Sequence, residues 1–273
     1  HEPVNKWIVF EYNTAIAKTT SAVEAYRFNE GADALYHFIW HSYCDWYVEL
    51  IKASLNGDDK ALVAEIKATA STILAGTLRL LHPFMPYLTE ELNQKIFQSD
   101  GMLIAANWPK ASSSSDTEAV NDIRFLISLI TEIRYIRAEM NVPLSAKPIL
   151  QIRGAKQKQL EAVADQSAAL LRLARLEGLE NVEGFVKGTA RGTVSGIDIG
   201  LPLADILDLE AEAARLKKEI ASVDAETKKI SDKLNNPNFL EKAPLNVVDE
   251  NRRRLEDELA KMDGLRAALT RLG

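Results

Sequence analysis

The chain has 273 residues, of which 47% are hydrophobic and 26% charged, as expected for a soluble protein with one or two cores. No apolar run reaches the roughly 18 residues of a membrane span, and no secretory signal is expected. The one cysteine, Cys44, excludes an intrachain disulfide and favours the cytoplasm. The net charge of −6 divides into −6 over residues 1–140, +2 over 141–203 and −2 over 204–273, so RNA binding would have to rest on local basic clusters.

Residues 1–140 are predicted to form a bundle of five helices joined by short connections. Apolar and small residues recur every three or four positions from Trp7 to Ser21 and again from Leu35 to Leu50, which is the spacing of one helix face. Gly57 is expected to end the second of these helices.

The other three helices of the bundle are marked by their ends. Asp58 is the expected N-cap of the third helix, which stops at His82 because a proline follows. Thr89 is expected to cap a short fourth helix, and residues 119–140 form the fifth. Between them, Lys110–Glu118 contains four consecutive serines and is predicted to be a surface loop.

Aromatic side chains are concentrated in residues 26–51, the aromatic stretch, which is predicted to be helical. Eight of the 19 aromatic residues lie in this stretch: Tyr26, Phe28, Tyr36, Phe38, Trp40, Tyr43, Trp46 and Tyr47. Such a helix must place its rings in a core or on a binding surface, where they could stack on unpaired bases. We predict that most of them belong to the core, because a stacking platform uses only a few rings.

Residues 141–203 are predicted to form a small α+β module. Alternating or apolar runs between glycines indicate short strands, and one longer apolar pattern indicates a helix. The predicted strands are 147–153, 182–187, 189–194 and 197–201, and the predicted helix is 156–175.

Residues 204–273 carry a heptad pattern in two halves that a Pro-containing break separates. The positions are Leu209, Ala213, Leu216, Ile220, Val223, Thr227, Ile230 and Leu234, and then Val248, Asn251, Leu255, Leu259, Met262, Leu265, Leu269 and Leu272. The pattern predicts a long antiparallel coiled-coil hairpin within the chain. The alternative is an interaction module in which residues 204–273 pair between two chains.

One group of residues has the spacing of a metal site. His37, His41 and Asp45 are four residues apart and Cys44 is adjacent, so a zinc ion, and with it a metalloenzyme, is one hypothesis. The other interpretation, which we favour, is a polar side of an amphipathic helix with no metal. No Gly-rich phosphate loop and no distinctive Ser/His/Asp set is recognised, so no catalytic residue is predicted.

Basic clusters are the remaining candidates. Arg134 and Arg137 lie one turn apart, where they either complement the negative end of a helix dipole or bind RNA phosphates. The hairpin carries a larger set, which is either solvated and paired with acidic neighbours or forms a strip for an RNA backbone. These residues are Lys217, Lys218, Lys228, Lys229, Arg252, Arg253 and Arg254.

Several motifs, in order along nearly the whole chain, resemble those of bacterial valyl-tRNA synthetases. They are Asn5-Lys6-Trp7-Ile8, Arg27-Phe28-Asn29, Cys44-Asp45-Trp46-Tyr47, the segment His82–Leu92, the segment Ile133–Met140, Asn236-Pro237-Asn238-Phe239 and Lys242-Ala243-Pro244. Asn93 departs from the family, which commonly has Trp there, and we expect this to weaken local packing.

The resemblance implies a part of an ATP-dependent ligase that attaches valine to its tRNA. The catalytic domain, which uses ATP with magnesium, and the editing domain would precede His1, so no cofactor is expected here. The bundle would bind the anticodon region of valine tRNA, the hairpin would bind its outer corner, and Arg27 joins the basic clusters as a candidate contact. The parent enzyme is expected to be a monomer. The resemblance also implies a family helix just before Asn5, which we expect to be missing here, and its loss would expose an apolar face of the bundle and favour self-association.

Overall fold

A computed structural model of the chain describes residues 2–98, 101–112 and 116–271. The described residues are mainly helical and include one four-stranded sheet. They fall into two compact units, of which the first contains residues 1–127 and 161–169 and the second contains residues 128–160 and 170–273. His1, Leu272 and three of the four loop serines lie outside the described residues.

The five helices predicted for residues 1–140 are present in the predicted order, and one of them is divided into three segments. The helical elements are α1 (Pro3–Glu24), α2 (Phe28–His37), a π-helical segment (Phe38–Tyr47), α3 (Val48–Leu55), α4 (Lys60–Leu81), α5 (Pro86–Phe97), a 3₁₀ turn (Leu103–Ala105) and α6 (Thr117–Glu139). The predicted bundle helices α1 to α5 and the start of α6 belong to the first unit, and the rest of α6 belongs to the second.

The core of the first unit forms where α1, α2 and α4 meet. Ile16, Leu35 and Leu80 pack together and are almost completely buried. Tyr12 and Phe84 cover this cluster as half-buried rings. Burial of a large aliphatic side chain contributes about 1.5–3 kcal/mol, so these contacts account for the predicted apolar faces.

Two helix starts differ from the prediction. Asp59, not Asp58, caps α4, since its carboxylate accepts hydrogen bonds from the backbone N–H groups of Ala61 and Leu62. Pro86, not Thr89, begins α5. A proline suits the first turn of a helix because its missing N–H would have had no partner there.

Thr89 lies inside α5, where its hydroxyl donates to the carbonyl oxygen of Met85 at 2.9 Å. It is therefore a buried residue of the helix and not its cap. Asn93, on the same helix, is also buried, and it occupies the position where the resemblance led us to expect Trp.

The aromatic stretch contains a π-helix, which the three-to-four spacing did not predict. The segment Phe38–Tyr47 is wound more widely than an α-helix, because its backbone bonds span five residues instead of four. One result is that Phe38 and Tyr43, five residues apart, have ring centroids 6.4 Å apart. Single-turn π-bulges are the usual form of this structure and are frequent at functional sites.

One described helix, α4, meets the length and composition of a membrane span, with a window of mean hydropathy 1.3. The sequence pattern did not predict this segment. In the first unit, Ile66, Ile73 and Leu80 of this helix are buried, and the helix packs against α1 and α5. The apolar residues on this face of α4 therefore belong to the core of the bundle.

The second unit contains a four-stranded sheet of order β2-β1-β4-β3. Its strands are β1 (Leu150–Arg153), β2 (Leu179–Asn181), β3 (Thr189–Val194) and β4 (Ile197–Pro202). β2 lies parallel to β1, whereas β4 is antiparallel to both β1 and β3. Ser195 and Gly196 both have positive φ in the β3–β4 turn, as a two-residue hairpin loop requires.

Two predictions for this module are wrong. The strand expected at 182–187 is absent, and its place in the sheet is taken by β2, which precedes it. The helix expected at 156–175 is two helices, α7 (Gln157–Asp165) and α8 (Ser167–Ala174). The parallel pairing of β1 and β2 follows from this arrangement, because parallel strands need a helical crossover between them.

The last part of the chain forms two long helices separated by a short one. They are α9 (Leu209–Leu234), α10 (Pro237–Lys242) and α11 (Leu245–Arg271). α9 and α11 run in opposite directions, since Glu226 pairs with Arg254 and Glu219 with Lys261. Predicted seam positions Leu216, Val223, Ile230, Val248 and Met262 are buried, whereas Leu259 is 40% exposed.

Candidate nucleic-acid interface

The basic residues of α9 and α11 fall into a paired group and an unpaired group. Arg254 donates to Glu226 at 2.7 Å, and Lys261 lies 3.6 Å from Glu219. Glu219 and Glu226 are seven residues apart, about two helical turns, so these pairs follow one edge of the helix pair. The cations on that edge are neutralised within the chain.

A second group of cations has no such partners. Within the described residues, no ion pair is formed by Lys217, Lys218, Lys228 or Arg253, all of which are exposed. Lys217 and Lys228 are eleven residues apart, about three helical turns, and therefore share a face of α9. Exposed cations that repeat along one helix face can bind successive phosphates of a nucleic acid.

The remaining two hairpin candidates are intermediate cases. Arg252 lies 3.3 Å from Asp249 and Lys229 lies 3.8 Å from Glu226, and both basic side chains are largely exposed. Exposed pairs of this kind contribute about 0–1 kcal/mol. An RNA phosphate could therefore compete for either cation at little cost.

Arg137, one of the candidate RNA contacts, is surrounded by backbone carbonyls. It is 7% exposed, and its guanidinium donates to the carbonyl oxygens of Arg175, Pro143 and Ala146 at 2.9–3.1 Å. Burial, followed by the neighbouring Arg175, lowers the pKa of Arg137. This geometry supports a structural role for Arg137.

Arg134 and Arg27 have partners of their own but remain accessible. Arg134 donates from Nε to the carbonyl oxygen of Leu173 at 3.0 Å and is exposed. Arg27 lies before α2 in the first unit, 3.0 Å from Glu30 and more than half exposed. The structure thus places Arg27 in a different unit from Arg134 and the hairpin cations.

The residues of the zinc hypothesis form two separate His–Asp contacts, one of which involves Asp33. His41 lies 3.4 Å from Asp45, and His37 lies 3.5 Å from Asp33. Among the residues with described positions, no group of three His, Cys, Asp or Glu side chains is arranged to hold a metal. Cys44 is largely exposed, and the partial burial of its thiol, followed by the charge of Asp45, raises the pKa of this thiol.

The aromatic stretch is less buried than predicted. Tyr26, Phe28, Tyr36 and Trp40 are between 52% and 83% exposed, whereas Phe38 and Tyr47 are buried. Tyr36 and Trp40 stack on each other with an interplanar angle of 6°. Core packing therefore explains only part of the stretch, and four of its rings remain on the surface of the described unit.

The sequence also did not predict two exposed cations of the second unit as candidate site residues. Lys187 and Arg191 are exposed and without ion pairs in the described structure. They were overlooked because neither lies in a run of basic residues. Their signal is positional, since Arg191 alternates with buried residues along β3 and so points away from the core.

Comparison with known proteins adds two family matches. Residues 5–153 match the family described as the anticodon-binding domain of tRNA ligase. Residues 208–273 match the family described as the valyl tRNA synthetase tRNA binding arm. The second match covers α9, α10 and α11, which carry the unpaired cations.

The chain is also similar to curated valine–tRNA ligases over almost its whole length. It is 45% identical to the enzyme of Caulobacter vibrioides over 99% of this chain and 30% of that protein. The identity is 41% with the enzyme of Rhizobium meliloti, over 98% of this chain and 29% of that protein. The chain thus spans about 30% of the length of these relatives. It belongs to the anticodon-binding family of tRNA ligases and carries, after this domain, the tRNA-binding arm of the valyl-tRNA synthetases.

Proposed function

We propose that this chain is a non-catalytic, tRNA-binding part of a valyl-tRNA synthetase, and that its RNA is the tRNA that accepts valine. The observation that carries the proposal is the unpaired row of cations on α9 and α11, in the segment that matches the arm family. In this proposal, the parts of the enzyme that this chain does not span activate valine with ATP and magnesium and carry out editing. The enzyme acts in the cytoplasm.

The proposed division of labour has three parts. Residues 1–140 bind the anticodon region, and residues 204–273 form the arm that contacts the outer corner of the tRNA. Residues 141–203 connect these two parts. Lys217, Lys218, Lys228, Lys229, Arg252 and Arg253 provide phosphate contacts. Arg27 and Arg134 are accessible further candidates, and Arg137 supports the fold around them.

We also propose that α9 and α11 pack as an antiparallel coiled coil. The buried seam residues Leu216, Val223 and Met262 and the cross-helix pair Glu226–Arg254 support this. The same contacts speak against the alternative, in which residues 204–273 pair between two chains, because the seam is used within one chain. Sedimentation over a range of concentrations separates the two, since pairing between chains predicts an association that depends on the hairpin.

The function is tested by a filter-binding titration with valine tRNA and with unrelated tRNA transcripts at moderate salt. The proposal predicts tighter binding of valine tRNA and a steep loss of affinity as salt increases. Equal affinity for all tRNAs would refute the anticodon part. A measurement of aminoacylation by the chain alone should give no product.

A further inference from the structure

One face of the sheet in the second unit carries an aromatic ring between two arginines. Arg153 and Arg191 flank the strand β4 on this face, since Gly200 pairs with Arg191 and Asp198 with Arg153. The ring of Phe185 lies on Gly200, where a Cβ would meet it at 2.8 Å. The guanidinium carbons are 5.0 Å (Arg153) and 5.5 Å (Arg191) from its centre.

These two arginines differ in their availability. Arg153 donates to Asp198 at 2.6 Å, and this bond lowers the pKa of Asp198. Arg191 forms no ion pair among the described residues. Its contact with Phe185 holds the guanidinium in place by a cation–π interaction, so less conformational entropy is lost when it binds an anion.

A groove of about 870 Å³ opens beside this ring, between the sheet and α9. Lys187, Arg191 and Lys217 line it, with Glu210 as the one acidic residue in its lining. Neither lysine forms an ion pair within the part of the chain that the structure describes. The lining thus carries three cations and one carboxylate, an excess of positive charge.

The wall of the groove also contains a polar group that lacks a partner. Thr189 is 2% exposed, and its hydroxyl has no hydrogen-bond partner among the described residues. A buried polar group without a partner costs free energy that a ligand can recover. Thr189 lines the same groove as Lys187, Arg191 and Lys217, and a hydroxyl can donate to an anionic oxygen.

We infer that this groove binds a phosphate of the RNA backbone, held by Lys187, Arg191 and Lys217 beside the ring of Phe185. The inference rests on the proposed function and adds a contact at the base of the arm. Arginine suits such a site because its planar fork matches two phosphate oxygens. The groove and the row of cations on α9 share Lys217, so one RNA strand could engage both.

The test uses three double variants of the whole chain and a valine tRNA transcript. The groove variant is Lys187→Gln with Arg191→Gln, and the arm variant is Lys228→Gln with Arg253→Gln. The control is Lys147→Gln with Lys156→Gln, two exposed lysines of the same unit that do not line the groove. All three remove the same charge, and thermal melting checks that each folds.

We expect the groove variant to bind about tenfold more weakly than the control and to lower the salt slope by about one to two units. Phosphate-ethylation interference should then lose one or two sites that remain with the arm variant. A groove variant that matches the control, while the arm variant is weakened, overturns the groove inference and leaves the proposed function intact. No binding of tRNA by the unmodified chain overturns both.

Discussion

Tyr12 occupies the space beside Gly76 that a side chain would fill. The ring carbon Cζ of Tyr12 lies 2.7 Å from the position of a Cβ on Gly76, and its hydroxyl is closer still. Burial raises the pKa of Tyr12 to about 12. The packing of α1 on α4 therefore depends on a glycine at this position of α4.

Gly76→Ala should destabilise the first unit, although alanine is the better helix former. Overpacking of a filled site costs about 1–3 kcal/mol, and we expect urea unfolding to show a loss of this size. The double variant Tyr12→Phe with Gly76→Ala should recover part of it, because the hydroxyl is removed.

The control for this change is Gly264→Ala on α11. The nearest atoms to a Cβ there are 3.9 Å away, on Glu139 and Tyr135, so the added methyl group fits. This variant should be more stable by about 0.5–1 kcal/mol. Equal effects at the two glycines would show that the Tyr12 contact is not significant.

Acid should weaken the first unit through Glu65. Its carboxylate accepts hydrogen bonds from the Asn5 side chain and the Glu2 backbone N–H, each at 2.9 Å, and these, the Asn5 bond most of all, lower the pKa of Glu65. A lowered pKa stabilises the fold above the ordinary value of about 4.5 and loses this contribution as the pH falls through the folded value. Glu65→Gln should therefore flatten the loss of melting temperature between about pH 5 and pH 3. Glu24→Gln, at an exposed acid of α1, should leave the curve unchanged.

Arg137 is expected to act on stability and not on RNA affinity. A lysine cannot reproduce the fork that reaches three carbonyl oxygens, so Arg137→Lys should cost about 1–3 kcal/mol in urea unfolding. The salt slope of tRNA binding should stay the same. A lower slope with unchanged stability would return Arg137 to the direct role that its position near Arg134 first indicated.

Arg271 should anchor α11 to α6. It lies 3.2 Å from both Glu132 and Glu139, and its guanidinium carbon is 5.0 Å from the ring centre of Tyr135. Arg271→Ala leaves two partly buried carboxylates unpaired, and we expect a loss of about 1–2 kcal/mol in thermal unfolding. Arg266→Ala, an exposed change on the same helix, should be nearly neutral.

Neighbouring arginines on α11 should separate binding from stability. Arg253 has no ion pair in the described structure, whereas Arg254 is bonded to Glu226. Arg253→Gln should lower the salt slope of tRNA binding by about one unit without changing the melting temperature. Arg254→Gln should lower the melting temperature slightly, as expected for a surface pair of about 0.2–1 kcal/mol. The reverse pattern would contradict the proposed row of cations.

Helices with a steady apolar spacing were predictable because the spacing itself determines which side is buried. The errors came where neighbouring residues offered equivalent chemistry. Asp58 and Asp59 are both good caps, and only the path of the backbone selects the second. The π-helix was not predictable either, because Leu35 and Leu50 at its flanks keep positions that an α-helix would also allow.

The candidate site was harder to predict than the fold, because its residues are joined by the sheet and not by the sequence. Runs such as Arg252-Arg253-Arg254 are visible in the sequence, but which cation is neutralised depends on the facing helix. Lys187 and Lys217 are thirty residues apart, and only the β3–β4 hairpin and the start of α9 bring them to one groove. Pairing and topology therefore decide which cations are available more than composition does.

Because α9 is paired with α11, a small rotation at the base of the arm would give a larger displacement at its far end. With a rise of 1.5 Å per residue, the 26 residues of α9 extend about 39 Å from Leu209. A rotation of about 10° at the base would move the far end by about 7 Å. Near that base, Arg215 is bonded to Glu212 and Glu219, and Arg271 lies at the end of α11. These contacts therefore restrict the position of basic residues that they do not touch.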